Sequence, residues 1–320
     1  MEILTKDQIM NLADFDAVVE AVEQSYIAVS SGAATIPPVG YLHLPQHNGD
    51  CHIKIGHLHG DPIFLVKIAT GFYDNTKLGI STSNGIMIAL SAVTGEVAAI
   101  LQDEGYLTDL RTAIGAAIAT KALASTDARR LLIVGAGIQA EQQIRSHAEL
   151  LKDRSPEFAI WARDAAKARG VALKLREEGF DVKPALDLQT ACSNAQIILT
   201  TTPSRNPIVL RDWVQPGTHI TATGADAPGK CELDPELVAA AECVVADSID
   251  QCIDHGEISN ASVKGLLQAN DVLELGNVLA ESSIGRQHAN DISVVDLTGL
   301  ASQDIAAART VLQAFETRQK

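Results

Sequence analysis

Residues Leu131-Leu-Ile-Val-Gly-Ala-Gly-Ile-Gln-Ala140 constrain this chain more than any other stretch. An apolar run stops at a glycine-rich turn, and a helix-like segment follows. The run reads as a strand buried on both faces, as in a parallel sheet. Gly135 permits the tight turn after it. Gly137 lets the backbone approach a pyrophosphate at the start of the next helix, and Ala140, in place of a third glycine, still lets helix pack on strand. Ile144, His147, Leu150 and Leu151 mark one face of that helix. This is the pattern of a dinucleotide-binding strand–turn–helix. It lies in mid-chain, so the first half has another task.

The chain has 320 residues, enough for two domains with cores of their own. Hydrophobic residues make up 46%, yet no apolar run is long enough to span a bilayer. The start, Met1-Glu-Ile-Leu-Thr-Lys6, has neither a basic n-region nor an apolar h-region, so no signal peptide is expected. A formal charge of −15 speaks against nucleic-acid backbones and anionic membranes as partners. It leaves room for a local cationic pocket that takes a small acid. Cys51, Cys192, Cys231, Cys243 and Cys252 are scattered, which suits a reducing cytoplasm better than a disulfide frame. His57 and His59 alternate on a strand with no acid or thiolate nearby, so no metal is expected.

Asp14 is placed to cap a helix whose apolar face is Phe15, Val18, Val19, Val22, Tyr26 and Val29. Strands are expected at 41–44, 51–57, 63–69, 85–91 and 97–101, with turns at Asn48-Gly49 and Thr94-Gly95. An alanine-rich helix over 108–125 connects them to the second half. From there strands at 131–134, 157–161, 181–184, 196–200, 218–223, 242–246 and 292–296 alternate with helices at 138–151, 164–178, 186–193, 235–240, 248–254 and 301–318. That alternation specifies an α/β fold with a Rossmann-type doubly wound parallel sheet. The run of strands before it specifies a separate α+β domain. The expected division is 1–115 with 300–320, and 116–299, the last helix returning to the first domain.

In a doubly wound nucleotide domain the second strand ends near the adenine ribose. An acid there binds the 2′-hydroxyl, and an arginine accepts a 2′-phosphate. Here Phe158-Ala-Ile-Trp161 runs into Ala162, Arg163 and Asp164. Arg163 comes first, and a guanidinium pairs well with phosphate. NADP(H) is therefore expected ahead of NAD(H), with Asp164 as a helix cap.

Three further stretches carry chemistry. Lys67 stands between apolar strand residues in Phe64-Leu-Val-Lys-Ile-Ala-Thr-Gly71, where an unpaired buried ammonium is costly. It is either an edge lysine reaching water or a functional group. Arg111 opens the alanine-rich helix in Leu107-Thr-Asp-Leu-Arg-Thr112. Thr223-Gly-Ala-Asp226-Ala-Pro-Gly-Lys230-Cys-Glu232 follows a strand on its carboxyl-end side, where open α/β sheets bind ligands. Asp226 is a general-acid candidate if burial raises its pKa, or a turn aspartate before Pro228-Gly229.

Together with Gly71-Phe-Tyr-Asp-Asn75, Thr202-Pro-Ser204 and Asp296-Leu-Thr-Gly-Leu-Ala-Ser-Gln-Asp304, these stretches resemble the ornithine cyclodeaminase/mu-crystallin family. The resemblance runs in order over nearly the whole chain. It points to the 1-pyrroline-2-carboxylate reductase-like or ectoine-utilisation cyclodeaminase-like branches. It implies a split substrate and dimerisation domain, a Rossmann domain and a homodimer. It implies that Lys67 is the substrate-binding and catalytic lysine. By the same match, Asp226 is the catalytic aspartate that exchanges protons with the substrate nitrogen, and Arg111 lies near substrate and cofactor phosphate. Thr82, Gln139, Thr201 and Lys230 fall on or near nucleotide-contacting positions, beside Gly135, Gly137 and Ile138 of the turn.

The chain departs from the ornithine-acting members. They resemble one another in an arginine just after a proline, which clamps the substrate carboxylate; here Pro37-Pro38 is followed by Val39. They also tend to carry an acid about where this chain has Lys54. A substrate side-chain amine is repelled by Lys54 and a carboxylate is attracted. Lys54 is thus either a substitute carboxylate anchor or a surface lysine, with Cys51, Ile53 and Ile55 on the opposite strand face. The expected activity is an NAD(P)H-dependent reduction of a small α-imino acid. A cyclodeaminase, an alanine-type dehydrogenase and a non-catalytic nucleotide-dependent binding protein remain open.

Overall fold

Two short caps set the start of the chain. Thr5 and Gln8 form a reciprocal capping box at a helix start, and the Asp14 carboxylate accepts the Ala17 N–H at 2.9 Å at the next. The computed structural model describes residues 1–319 and divides them into two units. One holds Met1–Arg111 and the chain from Leu300 onward; the other is Thr112–Gly299.

The first unit contains β1 (Glu2–Thr5), α1 (Lys6–Leu12), α2 (Phe15–Ser30), β2 (Ala34–Thr35), β3 (Gly40–Leu44), β4 (Gly49–Leu58), β5 (Ile63–Phe72), β6 (Ser83–Ser91), β7 (Val97–Gln102) and the start of α3 (Tyr106–Leu123). Among the described residues its sheet runs β1-β7-β6-β5-β4-β2, with β3 also on β4. All pairs are antiparallel except β1 with β7. β1 and α1 were not expected. Each is too short for a periodic signal, and they are fixed by the capping box and by pairing with a strand far along the chain.

Register puts two contrasting rows across this sheet. Leu4, Leu101, Met87, Lys67 and Lys54 lie side by side and are all buried. The adjacent row on the other face is Ile3, Ile100, Ile88, Val66 and Ile55. Ile3 is 51% exposed and Ile55 is 40% exposed. Lys54 is therefore no surface lysine: the lysine face of β4 points inward and its isoleucine face outward.

The second unit continues with β8 (Arg130–Val134), α4 (Ile138–Leu150), β9 (Glu157–Trp161), α5 (Ala165–Glu177), β10 (Val182–Pro184), α6 (Leu188–Asn194), β11 (Ile197–Thr200), β12 (His219–Ala222), α7 (Pro235–Ala240), β13 (Cys243–Ala246), α8 (Ile249–Asp254), α9 (Glu257–Val263), β14 (Leu273–Glu274), α10 (Leu275–Ala280) and β15 (Ser293–Asp296). Its strands form a parallel sheet, β10-β9-β8-β11-β12-β15-β13-β14 among the described residues. The order reverses between β8 and β11, which is where such sheets bind ligands. Apolar side chains fill both faces: Ile133, Ile144 and Leu199 on one, Leu132, Ile198 and Val294 on the other. The expected Rossmann-type α/β fold is the observed one. α9, α10 and β14 were not expected; they are short, and α9 (Glu-Ile-Ser-Asn-Ala-Ser-Val) has no apolar period.

A buried polar thread crosses this unit. His147 Nδ1 meets the Gln143 carbonyl at 2.8 Å, and His147 Nε2 meets Thr120 Oγ1 at 3.0 Å. Thr120 Oγ1 is 3.0 Å from Thr221 Oγ1, which is 2.9 Å from His219 Nε2; His219 Nδ1 meets Ser293 Oγ at 2.8 Å. Burial pushes His147 down to about 4, and His219, with Arg286 adding to the effect, down to about 3.

The chain closes with α11 (Ala301–Gln319), which packs on α2 and β4 in the first unit. Among the described residues no helix is long and apolar enough to cross a membrane.

Candidate active site

In the first unit a carboxylate in the first turn of α11 gathers the cations. Lys67 Nζ is 2.8 Å from Asp304 Oδ1 and 2.7 Å from Oδ2, and Arg111 Nε donates to Oδ1 at 2.8 Å. Arg111 Nη1 also donates to Gln303 Oε1 at 3.1 Å. Gln303 is held in turn, its amide donating to Tyr26 Oη at 2.6 Å. β5 delivers Lys67, its neighbour β4 delivers Lys54 at the paired position, and α3 delivers Arg111.

Burial pushes the Lys67 ammonium down to about 7, with Arg111 and Lys54 adding to the effect against Asp304. Burial favours neutral Asp304, but Arg111, Lys67 and Lys54 outweigh it and hold the carboxyl below its usual value. A second acid, Asp103, is pushed up by burial despite accepting the Leu107 N–H at 2.9 Å. Lys54, Lys67 and Arg111 are thus buried together around one firmly ionised carboxylate. Buried cationic side chains gathered at one point favour the arrival of a small anion.

The second unit carries candidate residues of its own. Gly135, at φ +134°, turns the chain out of β8; a Cβ there runs into Thr201 Oγ1. Thr201 N–H donates to the Val134 carbonyl at 2.9 Å, so the ends of β8 and β11 are tied at this point. Asp164, Asp187, Asp234 and Ser248 cap α5, α6, α7 and α8 with their side chains. Among the described residues no side chain caps α4, whose N-cap is Gly137. Nothing lies within 4 Å of a Cβ built on Gly137. Open space at a helix start that no side chain caps fits a dinucleotide pyrophosphate. Ile138 and Gln139 open the same helix.

Arg163 is exposed at the end of β9. Asp164, its neighbour, is engaged by the Ala166 N–H at 2.9 Å as the cap of α5. After β12, Lys230 Nζ lies 2.6 Å from Asp226 Oδ1. The side chain of Asp226 is 39% exposed, so burial is not what tunes it; that expectation is corrected. Thr82 belongs to the first unit, in the turn before β6, where its carbonyl accepts the Phe72 N–H at 2.9 Å. His57 and His59 bond locally, to the Asp61 carbonyl and to Thr35 Oγ1, each at 2.9 Å.

Lys54, Lys67 and Arg111 are thus brought together within the first unit. Gly135, Gly137, Ile138, Gln139 and Thr201 come together at the β8 and β11 ends of the second. Sequence reasoning quoted Asp304 in a motif but gave it no role. Its partners stand 237 and 193 residues away, a separation no local pattern encodes.

The chain matches the model of the ornithine cyclodeaminase/mu-crystallin family over residues 1–319. It is 39% identical over 323 residues to an uncharacterised cyclodeaminase of Sinorhizobium fredii, covering 99% of this chain and 97% of the other. An archaeal alanine dehydrogenase, described as a dimer with bound NAD, is 31% identical with a TM-score of 0.90, over 100% of this chain and 97% of its own. Delta(1)-pyrroline-2-carboxylate reductase of Thermococcus litoralis, solved with NADH and L-proline, is 25% identical with a TM-score of 0.92, over 100% and 98%. The match of the family model over residues 1–319, with relatives aligned from end to end, settles the kinship: this chain belongs to the ornithine cyclodeaminase/mu-crystallin family.

Proposed function

We propose that this chain reduces a small α-imino acid with NADP(H), 1-pyrroline-2-carboxylate to L-proline being the representative reaction. Family membership makes it an NAD(P)-dependent enzyme acting at CH–NH or C=N bonds. The observation that carries the finer reading is the buried cluster of Lys54, Lys67 and Arg111 around Asp304. A substrate carboxylate is attracted to such a cluster. Lys54 stands in for the arginine that the ornithine-acting relatives place after their proline.

The bound nicotinamide supplies a hydride to the C=N carbon. Lys67 and Arg111 hold the carboxylate and fix the imine in one orientation, which is where most of the protein's contribution lies. Asp226 relays a proton from the Lys230 ammonium, 2.6 Å away, to the nitrogen, and water reprotonates Lys230. Hydride on carbon and proton on nitrogen complete the amine. Exposed Arg163 receives the 2′-phosphate, since Asp164 is occupied as a cap; this puts NADP(H) ahead of NAD(H), although the solved relatives named above hold NAD and NADH.

The test is an absorbance assay with 1-pyrroline-2-carboxylate and NADPH or NADH, run beside ornithine or L-alanine with NAD+. Loss of NADPH absorbance with proline formation is expected. Proline and ammonia from ornithine without imine reduction makes it a cyclodeaminase. Pyruvate from L-alanine without imine reduction makes it a dehydrogenase.

We also propose a homodimer built on the outward row of Ile3, Ile100, Ile88, Val66 and Ile55. Ile3 and Ile55 are exposed and Ile100, Ile88 and Val66 between them half-buried, an apolar row of the kind that marks an interaction face, and the archaeal relative is described as a dimer. Ile55→Asp with Val66→Asp is expected to halve the mass seen by light scattering while the circular dichroism spectrum is kept. A double variant that stays dimeric places the interface elsewhere.

A further inference from the structure

Glu232 closes the motif that holds Asp226 and Lys230, and the reaction as read above gives it no task. It is fully buried. Its Oε1 accepts the Thr202 N–H at 2.5 Å; its Oε2 accepts the Gly224 N–H at 2.8 Å and the Thr200 hydroxyl at 2.7 Å. One carboxylate therefore joins the end of β11 to the turn after β12. The fit is close: a Cβ on Gly224 runs into Thr202 O and lies 2.5 Å from Glu232 Oε2. Burial pushes the carboxyl up to about 7 in spite of these donors.

The backbone on either side of Glu232 is clamped as well. Its own N–H and that of Leu233 donate to the two Glu257 oxygens at 2.6 and 3.1 Å. Asn260 donates to the Lys230 carbonyl at 2.9 Å. Both clamps sit on α9, and the start of α9 is anchored to β15, where Asp296 accepts the Ile258 N–H at 2.9 Å. A connected series of side chains thus runs from the end of β15 to the end of β11.

We propose that Glu232 is a positioning residue whose carboxylate locks together the two strand-end segments bearing Thr201 and Asp226. It touches neither substrate nor cofactor and acts through Thr202 and Gly224. The placement of Asp226 for proton transfer rests on the imine-reduction reading; the tie between the two segments does not. Glutamine cannot replace it. The Thr202 and Gly224 N–H groups point at different oxygens, and an amide offers only one acceptor, so one N–H is left facing an NH2 group. A protonated glutamic acid avoids this conflict, since both its oxygens still accept.

Two measurements test the proposal. In Glu232→Gln, kcat for imine reduction is expected to fall about 30- to 100-fold, as small misplacements near reacting groups do. KM and NADPH affinity stay within about threefold, so the loss appears in kcat alone. Hydrogen exchange of segments 200–204 and 223–227 is expected to quicken by at least tenfold, while the β8–α4 turn is unchanged. If Glu232→Gln does not fold, Glu232→Asp serves: it keeps charge and both oxygens but cannot reach both segments, and the same two readouts apply. Unchanged kcat with unchanged exchange overturns the proposal, as does a drop in melting temperature with neither effect. If the wild type reduces no imine, the function reading fails by itself, and hydrogen exchange still decides the role of Glu232.

Discussion

A Lys67→Met enzyme is expected to lose about 10²–10³-fold in turnover and yet to melt at a higher temperature than the wild type. The two effects have one cause. Burial holds Lys67 at about 7, against 10.5 for an ordinary lysine. Unfolded, this lysine keeps its proton up to the higher value; folded, it releases it near the lower one. Between them the unfolded state binds more protons, so stability falls as pH drops from about 10 to 7. At 1.36 kcal/mol per pKa unit the accumulated penalty at neutral pH is on the order of 4 kcal/mol. Methionine fills much the same volume without the charge. Asp304 loses one partner but keeps Arg111 at 2.8 Å, so part of the gain is offset. A net gain of about 1–2 kcal/mol corresponds to a rise of about 2–4 °C. Melting curves of both proteins at pH 7 and pH 10 check it: the difference is largest at pH 7 and shrinks at pH 10. A variant that melts lower than wild type at pH 7 contradicts the burial penalty. One that keeps full activity removes Lys67 from the chemistry.

Asp226→Asn is expected to lose about 10²–10⁴-fold in kcat, the range for removing a general acid–base group. NADPH affinity should hold within about twofold, because the open end of α4 and the Gly135 turn are untouched. Its effect on stability runs opposite to that of Lys67→Met. Lys230 is only 6% exposed and loses a counter-ion at 2.6 Å. A buried ammonium that loses a close counter-ion destabilises, softened here by the water that reaches Asp226. Kinetics and nucleotide titration on one preparation read out both halves. Wild-type kcat in this variant removes Asp226 from proton transfer and leaves it as the partner of Lys230.

The sequence spelled out the second unit well because its strands and helices are local statements. Apolar runs of four residues, aspartate caps and the glycine turn each sit within a short window. The positions of β8 to β12 follow almost residue by residue. The site was legible only in part, and for a physical reason. Lys67 and Arg111 stand out as charges in apolar surroundings, whereas Asp304, which binds both, looks like any acid in the first turn of a helix. Glu232 and Glu257 are hidden in the same way: what matters is that backbone N–H groups from distant segments converge on them. Lys54 shows the limit of alternation. It tells that lysine and isoleucine lie on opposite faces of β4, but not which face the fold turns inward.

The histidine thread in the second unit has a direction. The Gln143 carbonyl can only accept, so His147 carries its hydrogen on Nδ1 and must accept on Nε2 from Thr120. Thr120 then accepts from Thr221, Thr221 from His219 Nε2, and His219 Nδ1 from Ser293. A single backbone carbonyl thereby fixes two tautomers and three hydroxyl rotors. The row behaves as a short piece of one-dimensional ice. A proton arriving at His147 cannot stay a local event: it reverses the hydroxyls one after another and switches the tautomer of His219, so α4, α3, β12 and β15 register it together.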